Sequence, residues 1–379
     1  MEISSMQENF KKGLLITGRV AGKNMNLPIL NNVLIKTDGG GIVLVATDLE
    51  IGVVCQVRGK VEKEGEFTVD SKLISDYISL LPNQKIEIKK EDEKLKIKCD
   101  NYKTIINGQN AEEFPLIPGV EKGSFVRVDS GEIKDALSRV VFAVSVSETR
   151  AELSGVLFGV EEDKIIFAAT DSYRLAEKEI KIKNKSAQLL DGQGKKIVVP
   201  AKTVQEFLRI IALVDDGEMG ATKEVDISFS DNQIMFKMGN IELISRLIEG
   251  QYPDYKQIIP TTFKTRATID KKEFIRAVKA SAIFSKAGIN DVNLDFPLGK
   301  NKIVITSTSG QTGENTTEIE SSVNGVDNGI VVNYKYLLDG LGNIDGDNVV
   351  IDVIDNNTPC VLRPEKEDGY LYIVMPIKQ

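Results

Sequence analysis

The sequence predicts an α+β fold made of one module used three times, each copy holding two helices and many short antiparallel strands. Three observations lead there. A strand end, turn and helix start recur three times. An amphipathic helical stretch followed by a strand pair also recurs three times. The segments between them alternate apolar and charged residues, as half-solvated antiparallel strands do.

The first triplet comprises Phe67-Thr68-Val69-Asp70-Ser71-Lys72, Ile197-Val198-Val199-Pro200-Ala201-Lys202 and Ile330-Val331-Val332-Asn333-Tyr334-Lys335. These run on to Leu81, Val214 and Ile344. Each reads Val, then Asp, Pro or Asn, one more residue, and Lys. Asp and Asn cap helix N-termini, and Pro suits the first helical turn. The second triplet is Phe10-Lys11-Lys12-Gly13-Leu14, Ile133-Lys134-Asp135-Ala136-Leu137 and Phe274-Ile275-Arg276-Ala277-Val278. Strand pairs follow over 33–47, 156–170 and 292–308. The first two end in Ala46-Thr47-Asp48 and Ala169-Thr170-Asp171, whereas the third has drifted to Ser307-Thr308-Ser309. Lys85-Ile86-Glu87-Ile88-Lys89 and Lys94-Leu95-Lys96-Ile97-Lys98 alternate strictly. The predicted helices cover 6–23, 70–82, 130–146, 200–214, 270–286 and 333–344. The predicted domains are 1–121, 122–249 and 250–379, joined by short segments that favour packed neighbours over swinging ones.

Composition narrows the function. The chain of 379 residues is 41% hydrophobic and 27% charged, ordinary values for a globular protein with sizeable cores. It has no histidine, which removes Ser-His and Cys-His nucleophile pairs and every His-ligated metal site. Cys55, Cys99 and Cys360 are far apart and form no CxxC pair, so they read as small buried hydrophobes rather than zinc ligands or disulfide partners. No GxxxxGK[ST] loop occurs, and no GxGxxG follows a strand. No cofactor and no metal are expected. No apolar run approaches about 18 residues, and Met1–Ser5 lacks the blocks of a signal peptide, so no membrane association and a cytoplasmic location are expected.

Net charge is −8, but the six helical segments sum to +6, which leaves −14 on the rest of the chain. Such segregation attracts phosphates locally and repels them elsewhere. Tryptophan is absent and aromatics make up only 6% of residues, so stacking on single-stranded bases is not the expected mode. Weak, sequence-blind contact with duplex phosphates fits better.

Six short motifs then appear in order: Asn26-Leu27-Pro28-Ile29-Leu30; Thr47-Asp48-Leu49-Glu50; Glu113-Phe114-Pro115; Ala169-Thr170-Asp171-Ser172-Tyr173-Arg174-Leu175-Ala176; Tyr252-Pro253-Asp254-Tyr255; and Val374-Met375-Pro376-Ile377. Across the whole chain this set resembles the beta sliding clamp family of bacterial DNA polymerase III. The resemblance implies three domains of the DNA-clamp fold, each with two inner helices and an outer antiparallel sheet, together forming half of a ring. It implies a homodimer closed head to tail around double-stranded DNA, a processivity factor rather than an enzyme. The implied partners are the polymerase III catalytic subunit, the clamp loader, and other polymerases and mismatch-repair proteins that dock through short peptide motifs.

Site residues follow from the same resemblance. A peptide cleft is expected from Leu153, Thr170, Ser172, Tyr173, Arg174, Leu175, Pro253, Ile258, Ile373, Met375, Pro376 and Ile377. From the basic surplus on the helices, rather than from the resemblance, DNA-facing cations are expected at Lys11, Lys12, Arg19, Lys23, Lys72, Lys202, Lys271, Arg276, Lys279 and Lys335. The ring interface is expected around Thr104 and Ile106 on one edge and Ile283 and Phe284 on the other. Gln379 and Gln257 depart from the family pattern, which commonly has an apolar terminal residue and a basic residue at those places. Two rival readings remain: a protein-binding scaffold, which has no need of basic helices, and an enzyme using Asp48 and Asp171 as acid and base. Recurrence of those aspartates in equivalent turns favours a structural role, because Asp side chains cap their own backbone.

Overall fold

The computed structural model describes residues 1–22, 26–117, 119, 125–147, 149–185, 194–215 and 223–378. Among them are six α-helices: α1 Gln7–Thr17, α2 Ser71–Leu80, α3 Ser130–Ser138, α4 Ala201–Asp215, α5 Lys271–Ala282 and α6 Tyr334–Gly342. The predicted caps Asp70 and Asn333 sit at the starts of α2 and α6, the Asp70 carboxylate accepting from the Leu73 N–H and the Asn333 side chain from Lys335. Asp270, which the repeat did not mark, caps α5 by accepting from Glu273. Pro200 ends the strand immediately before α4.

Three helices are shorter than the sequence pattern suggests. α1 stops at Thr17 rather than at 23, and carbonyls in its last turns are bonded by side chains. Thr17 Oγ1 donates to the Gly13 carbonyl at 2.9 Å, and the Arg209 guanidinium donates to the carbonyls of Leu15 and Ile16 at 2.8 and 2.7 Å. Arg19 therefore lies beyond the helix, and Lys23 falls outside the described residues. α3 ends at Ser138, followed by a 3-10 turn over Val141–Ala143. α5 ends at Ala282, leaving Ile283 and Phe284 just past it.

The chain packs into two compact units, and the middle repeat contributes to both. The first unit comprises 1–131, 182–189 and 205–247. It carries a five-stranded sheet, in spatial order Gly59–Lys63, Glu2–Met6, Lys85–Glu91, Lys94–Cys99 and Tyr102–Asn107. It also carries a nine-stranded sheet in which Ile51–Val57 of the first repeat pairs antiparallel with Ile241–Arg246 of the second. The hairpin Asn32–Asp38/Gly41–Thr47 runs where the sequence placed a strand pair. The second unit comprises 132–181, 190–204 and 248–379, and holds a twelve-stranded sheet. There, Arg174–Lys181 of the second repeat pairs antiparallel with Tyr370–Val374 of the third. Sheets thus run continuously from one repeat to the next.

Helices lie on these sheets through apolar faces. Phe10 and Leu14 of α1, Ile74 and Ile78 of α2, Phe274 and Val278 of α5 and Leu337 and Leu341 of α6 are all buried. The three cysteines are free and buried, and burial pushes the thiols of Cys55 and Cys360 up to about 12. They are inert packing groups at neutral pH.

One polar cluster within the second unit is energetically prominent. Arg139 is only 4% exposed. Its guanidinium donates to Glu367 at 2.9 Å, Asp135 at 3.2 Å, Asp345 at 3.3 Å and the Asn343 carbonyl at 3.1 Å, and it stacks 4.2 Å from the Tyr370 ring centroid. Lys178 also contacts Glu367. Removing one member of a buried charged cluster strands the others in low dielectric. Arg139→Ala is expected to lower the stability of this unit by about 3 kcal/mol. A urea melt showing a loss under about 1 kcal/mol would mean that the cluster is solvated rather than structural.

Candidate functional site

The two Thr-Asp motifs fold into the same turn. In the first, Thr47 Oγ1 donates to the Ile51 carbonyl at 2.9 Å and accepts from the Leu49 N–H at 3.0 Å, while Asp48 Oδ1 accepts from Glu50 and Ile51 at 3.0 and 2.7 Å. In the second, Thr170 Oγ1 donates to the Arg174 carbonyl at 2.6 Å and accepts from Ser172 at 3.1 Å, while Asp171 Oδ1 accepts from Tyr173 and Arg174 at 2.9 and 3.0 Å. Leu49 and Ser172 both adopt left-handed backbone, with φ of 77° and 78°. Both aspartates are therefore engaged in holding a strained turn, the structural role their recurrence suggested.

The second turn matters because it projects Ser172 and Tyr173 into a cleft of about 670 Å³, within the second compact unit. Its other walls are Met375, Pro376, Ile377 and Lys378 of the tail, Asn333 and Tyr336 at the start of α6, and Ile289 and Asn357. The tail is held by backbone bonds: Met375 N–H donates to the Tyr173 carbonyl at 2.9 Å, and Ile377 N–H to the Val331 carbonyl at 2.8 Å. Pro376 bridges Val332 of the strand leading into α6. Tyr173 and Tyr336 stack with ring centroids 6.3 Å apart.

Arg174 forms the polar hinge of this region. It donates to Asp171 at 3.0 Å, to Asp339 of α6 at 2.5 Å and to the Phe142 carbonyl at 3.0 Å. It also lies 4.8 Å from the Tyr336 ring centroid. Leu153, Leu175 and Ile373 are not on the cleft surface. They are fully buried in one core cluster with Tyr252 and Tyr255, against which the partly buried Ile258 packs. Thr170 is also buried, and Pro253 is half-buried. Within this core the Tyr255 hydroxyl donates to the Glu177 carboxylate, whose pKa burial raises above the usual carboxylate range.

The expected pocket residues thus divide in two. Ser172, Tyr173, Met375, Pro376 and Ile377 line the cleft, and the rest of the set does not, with Leu153, Leu175, Ile258 and Ile373 gathered in the core cluster instead. Ile289, Asn333, Tyr336, Asn357 and Lys378 line it too but were not anticipated. The available signal was the third repeat's Val332-Asn333-Tyr334-Lys335, which places Tyr336 on the first turn of α6.

The basic residues sort similarly. Arg19, Lys72, Lys202, Arg276, Lys279 and Lys335 have exposed side chains, and Lys11 and Lys12 are half-buried on α1. Lys271 is half-buried, and its ammonium donates to the Ile344 carbonyl at 2.7 Å, beyond the C-terminus of α6. Arg209, one of the charges in the helical surplus, is likewise engaged with Glu206 and the end of α1. The strand carrying Thr104 and Ile106 is the outer edge of the five-stranded sheet. Ile106 faces inward and is 5% exposed, whereas Ile105, on the other face, is 57% exposed. Ile283 is 71% exposed and Phe284 is half-buried.

Three sequential α+β repeats with shared sheets, twin Thr-Asp turns and a docked tail define a three-domain clamp fold. Family models describe the chain almost end to end: the DNA polymerase III beta subunit N-terminal domain over residues 1–118, the central domain over 127–254 and the C-terminal domain over 256–378. A beta sliding clamp of Staphylococcus aureus is 28% identical over 390 residues, covering 100% of this chain and 99% of the relative. The DNA polymerase III beta subunit of Thermotoga maritima superposes with a TM-score of 0.89 at 26% identity, covering 100% of this chain and 99% of that one. That of Pseudomonas aeruginosa gives 0.90 at 26%, with both chains fully covered. The chain belongs to the DNA polymerase III beta subunit family, the beta sliding clamps. Its members are non-catalytic processivity factors, and the chain is one of them.

Proposed function

We propose that two copies of this chain, each with domains 1–121, 122–249 and 250–379, close head to tail into a ring around duplex DNA. The ring tethers the replicative polymerase, the clamp loader and repair proteins through the cleft of the second unit. Such a clamp works in the cytoplasm, at the nucleoid.

The observation that carries this reading is the way successive repeats join. In each unit, the last strand of one repeat pairs with the strand following the central hairpin of the repeat before it: Ile241–Arg246 with Ile51–Val57, and Tyr370–Val374 with Arg174–Lys181. The same rule leaves one strand of each kind unused. Tyr102–Asn107 ends the first repeat, and Gly313–Gly325 follows the central hairpin of the third. Among the described strands, none pairs with the outer side of Tyr102–Asn107 or of 313–318. Open edges require a partner or protection. A heterologous contact that closes after two copies supplies one without building a filament. Light scattering at micromolar concentration tests it: the expected mass is twice 41.7 kDa, and a monomer would refute the ring.

Contact with DNA is then weak, sequence-blind and salt-dependent, because closure around the duplex does the holding. Replacing Arg276 or Lys335 by Ala is expected to make the slope of log affinity against log salt shallower by about 0.9 for each phosphate no longer neutralised. Lys271→Ala is expected to leave that slope unchanged, because its ammonium serves the Ile344 carbonyl. Equal effects from all three would show that the helix-borne charges act only as a diffuse field.

A further inference from the structure

The apolar cleft does not end at its tail wall. Asn357 and Ile377 line it on one side and, on the other, a second cavity of about 560 Å³. This neighbour is polar, and its walls include Asn293, Asp295, Asn328, Gly329 and Asp355. It runs along the strand Asn328–Asn333, which ends the twelve-stranded sheet and is covered on its outer side by the tail only at Val331 and Val332. Past that point the edge is open. Main-chain groups alternate sides along an antiparallel strand, so the Gly329 carbonyl faces the same outer side as that of Val331. The Gly329 N–H is already satisfied by its neighbour's Asn328 Oδ1 at 3.0 Å.

The Asp295 carboxylate lies against this opening. Its Oδ2 accepts from Asn293 Nδ2 at 2.6 Å, and no other hydrogen bond to it is found among the described residues. A Cβ at position 329 would sit 2.7 Å from Oδ1, so glycine there leaves the carboxylate its place. Partial burial raises the Asp295 pKa above the usual range, the mark of an anion short of partners. The trough therefore offers the Asp295 carboxylate and an open carbonyl, with a second carboxylate in Asp355 whose Oδ1 already accepts from the Asn357 and Thr358 N–H groups, among the side-chain amides of Asn293, Asn328, Asn356 and Asn357.

We propose that this trough receives an arginine or lysine side chain flanking the apolar anchors of a peptide seated in the adjacent cleft, so that docking partners are selected for a basic flank as well as for their anchors. This rests on the cleft reading above and refines it. A guanidinium carries five donors in a planar fork, which matches a carboxylate beside a carbonyl. Acidic flanks are rejected by Asp295 and Asp355 together, which gives discrimination by repulsion as well as attraction.

The test uses the full-length protein and two labelled peptides with the same apolar anchors, one with an arginine flank and one with glutamine in its place. Each flank is tried in turn, with fluorescence polarisation as the readout. The arginine peptide is expected to bind the wild type about fivefold tighter on one of the two flanks, with the gain shrinking as salt rises. In Asp295→Asn the gain should vanish while the glutamine peptide binds as before, which also shows that the cleft is intact. Equal binding of the two peptides to the wild type, or a gain that persists in Asp295→Asn, would overturn the basic-flank assignment and leave the cleft standing. Failure of both peptides to bind the wild type would overturn the cleft and this assignment with it.

Discussion

Deleting residues Met375–Gln379 is expected to weaken binding of an apolar-anchored peptide by on the order of 100-fold or more, with little change in the mass of the assembly. The tail supplies one wall of the cleft through Met375, Pro376 and Ile377. It also locks the opposite wall, because Met375 N–H holds the Tyr173 carbonyl and Ile377 N–H holds Val331. Truncation thus removes apolar surface from the cleft and frees the Ser172–Tyr173 turn to move. Buried anchor pockets commonly contribute about 2 kcal/mol or more per anchor. A chain end usually frays unless it is docked, and this one is fastened by main-chain bonds to Tyr173 and Val331, the latter within a bridge that sets Pro376 opposite Val332. Tyr336→Ala gives an independent check, since it leaves the tail in place but removes the ring that stacks on Tyr173. Fluorescence polarisation reads both variants. Full-strength binding by the truncated chain would place the peptide elsewhere.

Ile283→Asp is expected to convert the dimer to monomer at micromolar concentration. Ile283 follows α5 directly, is 71% exposed, and has no apolar cover in its own unit sufficient to bury it. At the other candidate edge, Ile105 is 57% exposed and Leu80, at the end of α2, is 81% exposed. Exposed branched aliphatics at both free edges mark surfaces that become a hydrophobic core on association. A carboxylate placed there must be desolvated without a partner, a cost of several kcal/mol and enough to lower affinity by on the order of 1,000-fold. The variant is expected to fold normally, because the side chain is exposed within the subunit. An unchanged mass by light scattering would exclude Ile283 from the interface.

Much of this architecture was legible in the sequence because it repeats. Val-Asp-Ser-Lys, Val-Pro-Ala-Lys and Val-Asn-Tyr-Lys mark strand-to-helix junctions whose capping chemistry is local, so the residues alone locate three helices. The twin Thr-Asp turns were readable for the same reason. What escaped was non-local. The carbonyls at the end of α1 are capped by Arg209, almost 200 residues away. Lys271, on a basic helix, bonds the Ile344 carbonyl, a pairing no spacing rule encodes. Thr104 and Ile106 do lie on an edge strand, but that Ile105 rather than Ile106 is its exposed residue depends on which face the sheet buries. The cleft was half-legible: motif positions such as Tyr173 and Met375 came through, whereas Ile289 and Asn357 lie in loops with no periodic pattern.

The central claim is that the protein holds DNA by enclosing it. The most direct measurement is retention on nicked circular duplex after loading with a clamp loader and ATP, followed by gel filtration at about 0.5 M salt, where the Debye length is only a few ångströms and phosphate contacts are screened. The account predicts that the protein co-elutes with the circle and is released when the same DNA is cut once by a restriction enzyme. Retention that survives linearisation, or release from the intact circle as fast as from the cut one, would contradict it.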